Sequence, residues 1–208
     1  MSVRVKICGL TKVEDAQHAE ACGAHALGFI FHDHSPRGIT PDVAEKIIAS
    51  ISPTIVTVGV FVTTPLKEIN MIADSIGLDR VQLHGGQDYD CLASLNRRGY
   101  RAFRLKDESQ VEETILAPDE ILLLDTYDHE LSGGTGRISN WEWARRISEK
   151  KKVILAGGLN PENVIEAIEI VDPFGVDVSS GLEFSPGEKD HELISAFFTA
   201  LDELEHKY

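Results

Sequence analysis

Cys8 closes the run VRVKIC (3–8), directly before Gly9, and Asp125 closes the run EILLLD (120–125). A thiol and a carboxyl are both groups that can carry a proton once their surroundings tune them. His84 closes a third such run, RVQLH (80–84), and Arg37 sits in SPRG just after HALGFIF (25–31). Arg37 offers a planar guanidinium, which suits a carboxylate or sugar hydroxyls. Two further stretches suit an anion. Gly157–Gly158 follows KVILA (152–156), and Ser179–Ser180–Gly181 ends FGVDVS (174–179) and turns the chain. Glycines let backbone N–H groups come close to a phosphate, and the Ser-Ser-Gly turn offers more of them at the start of an extra helical turn.

These residues must be positioned by the elements they end. Eight short apolar runs alternate with amphipathic stretches. The runs are 3–8, 25–31, 55–61, 80–84, 100–105, 120–125, 152–156 and 174–179. Between them apolar residues recur at three- and four-residue spacing, as in VEDAQHAEAC (13–22) and PENVIEAIEIV (161–171). Asn160 is placed to cap the latter, with Pro161 at its first position. Strands alternating with helices imply parallel strands and right-handed crossovers. Eight units in 208 residues, or 208/8 = 26 residues each, predict a single (β/α)8 TIM barrel domain over 1–208. An open doubly wound sheet is the alternative, but no GxGxxG follows the first strand. In a barrel the C-terminal strand ends build the site, and phosphate sits after strands seven and eight. That is where Cys8, His84, Asp125, the glycine pair and Ser179–Gly181 fall.

The formal charge is −14, with no basic run. Nucleic acid and anionic membranes are therefore poor partners, and an anionic substrate needs a local positive site. Three cysteines without CxxC spacing argue against disulfides and zinc, and no apolar run approaches membrane-spanning length. The expectation is a soluble, cytoplasmic protein. Cys22 and Cys91, in helical segments, read as small buried hydrophobes. His32-Asp33-His34 reads as a solvated loop, with no third ligand placed to complete a metal site.

Strand parity adds one structural expectation. If Cys8 points into the barrel mouth, Lys6 points inward one layer below. If Ser179 ends strand eight inward, so does Asp177. Strands one and eight are neighbours in a closed barrel, so Lys6 and Asp177 should pair as structural support beneath the site. Lys6 would also favour the Cys8 thiolate.

KICGLT (6–11), SPRGI (35–39), VGVF (58–61), VQLHG (81–85), LLLDT (122–126), GGTG (133–136), LAGGLNPENV (155–164) and GVDVSSGLE with PGEKD (175–190) stand in order. Together they resemble phosphoribosylanthranilate isomerase of tryptophan biosynthesis, from residue 3 to about residue 190. The resemblance implies a cofactor-free Amadori rearrangement, the third step of tryptophan synthesis from chorismate. An N-linked aminoaldose phosphate opens and becomes an aminoketose. It assigns the general base to Cys8 and the general acid to Asp125, and requires no metal. A cation near Cys8 would bring its pKa toward neutrality, and desolvation by Ile-Leu-Leu-Leu would raise that of Asp125. His84 would line the anthranilate pocket. The partner is a small phosphorylated substrate, and the assembly a monomer or homodimer. Where the family carries a basic residue followed by Phe-Asp-Trp, this chain has Arg137-Ile138-Ser139-Asn140-Trp141, with Asn140 free to cap the next helix. The related histidine-pathway isomerase uses a carboxylate at the tip of strand one, which Cys8 disfavours. A non-catalytic phosphate-binding barrel is the second rival.

Overall fold

A computed structural model describes residues 3–125 and 136–205. Eight parallel strands close on themselves in chain order, each adjacent strand pair hydrogen-bonded. They are β1 (Arg4–Cys8), β2 (Ala26–Phe31), β3 (Val56–Phe61), β4 (Arg80–Leu83), β5 (Arg98–Phe103), β6 (Ile121–Asp125), β7 (Lys152–Ala156) and β8 (Gly175–Val178). The helices are α1 (Val13–Ala21), α2 (Pro41–Ile48), α3 (Leu66–Ser75), α4 (Tyr89–Ala93), α5 (Ser109–Leu116), α6 (Gly136–Ser148), α7 (Val164–Val171) and α8 (His191–Glu205). After β8 come a 3-10 turn (Ser180–Leu182) and a short antiparallel pair, β9 (Glu183–Ser185) and β10 (Glu188–Lys189).

Alternation along the strands builds two cores. Val5, Ile7, Leu27, Phe29, Phe61, Leu122, Leu124, Leu155, Val176 and Val178 are buried against the helices. The helices meet them with residues three or four apart, such as Ala16 and Ala19 on α1 and Ala44 and Ile47 on α2. Burying each large aliphatic side chain contributes about 1.5–3 kcal/mol. Inside the barrel a smaller cluster forms from Val58, Tyr100, Leu123 and Ala156. Lys6, Gln82 and Asp177 are buried there too, so the barrel is a packed core with a polar layer.

Three sequence expectations are corrected. β5 runs over Arg98–Phe103 rather than 100–105, because Arg98 pairs with Arg80 in the ladder despite its turn-like Arg-Gly composition. α7 begins at Val164, not Pro161. The Asn160 side chain instead accepts from the Glu162 and Asn163 N–H groups, at 2.9 and 3.1 Å, and closes a separate turn first. Asn140 lies inside α6, which starts at Gly136, so it cannot be the N-cap of that helix. Thr126 and residues 133–135 of the LLLDT and GGTG motifs lie outside the described residues.

Candidate active site

The expected partnership between Lys6 and Asp177 is present. The two residues sit opposite each other in the β1–β8 ladder, and the ammonium stands 2.9 Å from Asp177 Oδ1. Lys6 Nζ also donates to Gln82 Oε1 at 3.1 Å, and the Tyr100 hydroxyl donates to that same oxygen at 3.1 Å. Residues from β1, β4, β5 and β8 thus meet around one buried cation. Burial works against the charge, but Asp177 outweighs it, with help from Cys8 and Tyr100, and the lysine is held well above its ordinary value.

Cys8 lies one layer above, 5% exposed. Space for its sulfur comes from Gly28 on β2. A Cβ at Gly28 would stand 2.7 Å from Cys8 Sγ and 3.1 Å from Lys6 Nζ. The thiol pKa is raised, not lowered as expected from the sequence. Burial dominates, and Lys6, by charge and hydrogen bond, offsets only part of it while Asp177 opposes. A strand tip is a chemical position, but depth of burial decides which effect wins. We expect Lys6→Met to raise the Cys8 pKa further. The check is a thiolate absorbance titration against wild type, in which Cys22 and Cys91 cancel. An unchanged titration would confine Lys6 to a structural role.

Asp125 ends β6 with its side chain 24% exposed, so the run Ile-Leu-Leu-Leu does not envelop it fully. Leu122 and Leu124 face the helices, while Ile121 and Leu123 share the inward side with Asp125. His84 Nε2 approaches Asp125 Oδ2 at 3.9 Å. Burial lowers the His84 pKa against the opposing pull of Asp125 and Asp177. The ring is therefore neutral near pH 7, and the contact is an imidazole beside a carboxyl, not an ion pair.

Gly157 and Gly158 have φ of +101° and +66°, values that only glycine adopts without strain. Ser179–Gly181 leads into the 3-10 turn at the neighbouring strand end, and Ser179 Oγ is buried with no hydrogen-bond partner among the described residues. Lys189, absent from the sequence-derived site, is buried beneath this turn. It donates to the Ser179 carbonyl at 3.0 Å and to Glu183 Oε1 at 2.9 Å. Arg37 is held by Glu183 through Nε at 2.8 and 3.0 Å and Nη2 at 2.6 Å. Nε and Nη2 of its fork are thus committed to a protein carboxylate.

Sequence reasoning missed Gly28, Gln82, Tyr100, Glu183 and Lys189. A glycine in mid-strand is itself a signal of close approach. Gln82 shares the face of His84 two residues on. The other three carry no local mark. His32 and His34 meet edge to face, with ring centroids 5.6 Å apart. Among the described residues no group of three His, Cys, Asp or Glu side chains is gathered as a metal site would need. No described helix is long and apolar enough to cross a membrane.

The fold and the mouth together define a class: a (β/α)8-barrel enzyme with a thiol, an imidazole and a carboxyl on separate strand tips above a buried ion pair. A family model described as N-(5'phosphoribosyl)anthranilate (PRA) isomerase matches residues 5–200. The chain belongs to the phosphoribosylanthranilate isomerase family. The N-(5'-phosphoribosyl)anthranilate isomerase of Pelobacter propionicus is 46% identical over 195 residues, covering 94% of this chain and 93% of the relative. The crystal structure of the Thermotoga maritima enzyme superposes with a TM-score of 0.89 at 38% identity, covering 97% of this chain and 99% of that one. A phosphoribosyl anthranilate isomerase in complex with reduced 1-(o-carboxyphenylamino)-1-deoxyribulose 5-phosphate superposes with a TM-score of 0.87 at 36% identity, over 97% of this chain and 99% of that one.

Proposed function

We infer that this chain isomerises N-(5'-phosphoribosyl)anthranilate to the matching 1-deoxyribulose 5-phosphate, the tryptophan-pathway step, with Cys8 as base and Asp125 as acid. The observation that carries the reading is the mouth itself. Cys8 stands over a buried cation on β1, and Asp125 stands beside a neutral imidazole on β6. Asp125 protonates the furanose ring oxygen as the nitrogen lone pair breaks the C1′–O bond, leaving a protonated imine. The Cys8 thiolate removes the C2′ proton, the electron pair forms the C1′=C2′ bond, and the C1′=N pair returns to nitrogen, giving a neutral enolamine. Protonation at C1′ and loss of the 2′-hydroxyl proton then give the ketone. His84 lines the anthranilate side. Arg37, fixed by Glu183, adds positive potential toward the thiolate.

Phosphate binds the N–H groups of Gly157, Gly158, Ser179, Ser180 and Gly181, and Ser179 Oγ supplies a further polar atom. We predict that a crystal grown with phosphate or sulfate shows the anion on those N–H groups. An anion held instead by the lysines at 150–152 would refute the placement. Acid and base come from one chain, so a monomer or homodimer serves equally. The partner is a small phosphorylated molecule, and three free thiols suit a cytoplasmic setting.

The test is product formation from N-(5'-phosphoribosyl)anthranilate by the purified protein, with and without EDTA. Turnover insensitive to EDTA is expected. Binding without turnover would return the chain to a non-catalytic phosphate-binding barrel. Turnover lost with EDTA would point to metal-dependent sugar chemistry.

A further inference from the structure

We propose that Gln82 is a positioning residue, whose amide holds His84 as the neutral Nε2–H tautomer, so that the ring turns an N–H and no positive charge of its own toward Asp125. The inference rests on Asp125 acting as the acid. It starts from the orientation of one buried amide.

A lysine ammonium has donors and no acceptor, so the Gln82 atom it touches at 3.1 Å must be the oxygen. The Tyr100 hydroxyl donates to that oxygen as well, at 3.1 Å. Two donors on one carbonyl, from two strands, fix the amide. Its NH2 group therefore faces the other way, and there it meets His84 Nδ1 at 3.1 Å. An N–H cannot hydrogen-bond another N–H. Nδ1 must accept, so the ring proton sits on Nε2, the atom 3.9 Å from the Asp125 carboxyl.

The same contact opposes a second proton. An imidazolium would put N–H against the Gln82 amide protons. Four charged groups also face the ring. Asp125 on β6 and Asp177 on β8 favour a charge, while Lys6 on β1 and Arg104 after β5 oppose it. Burial adds to the opposition.

The consequence reaches Asp125. A cation close to a carboxyl lowers its pKa by about 1–3 units. An imidazolium at this distance would hold Asp125 ionised and strip it of the proton that ring opening needs. A neutral ring adds no positive charge of its own beside the carboxyl, and its N–H then steadies the carboxylate left after transfer. The chain Asp177–Lys6–Gln82–His84–Asp125 thus links the buried ion pair to the acid across the barrel. Gln82 touches no substrate in this scheme; it acts through His84.

The experiment is nitrogen-15 NMR of the His84 ring with pH profiles of kcat, in wild type, Gln82→Glu and Gln82→Met. Lys6 keeps Asp177 in both variants. Wild type near neutral pH is expected to show a protonated Nε2 and a bare Nδ1. In Gln82→Glu the carboxylate facing Nδ1 calls for an N–H there, so Nδ1 becomes protonated, as the other tautomer or as imidazolium. Gln82→Met removes the donor and lets the ring take a proton at higher pH than in wild type. With imidazolium formed, kcat is expected to fall about tenfold or more while KM stays within a few-fold. The limb of the profile set by Asp125 should move to lower pH, which a merely loosened structure would not do. A wild-type ring protonated on Nδ1 would overturn the proposal, whether or not either variant folds. A ring that changes protonation in Gln82→Glu with no shift of that limb would overturn the link to Asp125. The acid assignment is judged separately. Turnover retained in Asp125→Asn would remove that assignment, while the ring spectra would still decide what Gln82 does.

Discussion

Cys8→Ala and Asp125→Asn are each expected to lower kcat by about 10²–10⁴-fold while leaving the fold in place, since each removes one positioned proton carrier. Neither change opens a large hole. Cys8→Ala deletes one atom from a site already narrowed to fit Lys6 and the sulfur. Asp125→Asn keeps the shape of a side chain that is 24% exposed. KM should change little if both residues act mainly in the transition state. Cys22 offers an internal control. It contacts His18 and Ser195 on the outer helices, far from the mouth in the fold, so Cys22→Ala should retain turnover. A Cys8→Ala or Asp125→Asn variant that kept more than about a tenth of wild-type activity would lose its assigned role.

The second large effect is on stability. Asp177→Ala should cost about 3–5 kcal/mol, because it leaves the Lys6 ammonium buried without its carboxylate, with the Gln82 amide oxygen and the Cys8 sulfur still beside it. Lys6→Met combined with Asp177→Leu should cost far less than the two single changes added together, since no unpaired charge remains. Urea unfolding of the four proteins measures the coupling. Additive losses would mean that the pair is not energetically linked. A pH signature follows from the raised Lys6 value. A raised folded-state pKa contributes stability that is fully present below the unfolded value near 10.5, and that is lost as pH rises through the folded value. Wild-type stability should therefore carry a loss above pH 10.5 that Lys6→Met lacks.

The sequence made the barrel legible because eight alternating runs leave few other closed solutions. It also made the Lys6–Asp177 pair legible. Parity along VRVKIC and FGVDVS sets which side chains point inward, and closure makes their strands neighbours. Contacts across the barrel were not legible. Lys6 reaches Gln82, 76 residues away on β4, through no ladder that a pattern could reveal. Arg37 and Glu183 are 146 residues apart, so the committed fork of Arg37 was hidden in the same way. The Cys8 pKa was misjudged for a different reason. A nearby cation can be inferred from spacing, whereas the burial that outweighs it depends on how the whole mouth packs. Asn160 shows the limit of local chemistry, since it caps a turn as its type predicts, though the regular helix starts only after that turn.

The central claim is that turnover requires a thiolate at Cys8 and a proton on Asp125 at the same time. Ordinarily a carboxyl loses its proton near pH 4 and a thiol near pH 8.5, so the working form is the minority in which the acid holds its proton and the base has lost its own. The population of that form is constant between the two pKa values. It falls below the carboxyl value, because the thiolate is protonated, and above the thiol value, because nothing but the proton of Asp125 remains to be lost. Burial raises the Cys8 value above that of an ordinary thiol. The pH profile of kcat/KM is the direct measurement. It should be flat through neutrality and fall as pH rises past the Cys8 value. A rate that instead rises through that pH to a plateau would show a thiolate working without an acid, and would contradict the account.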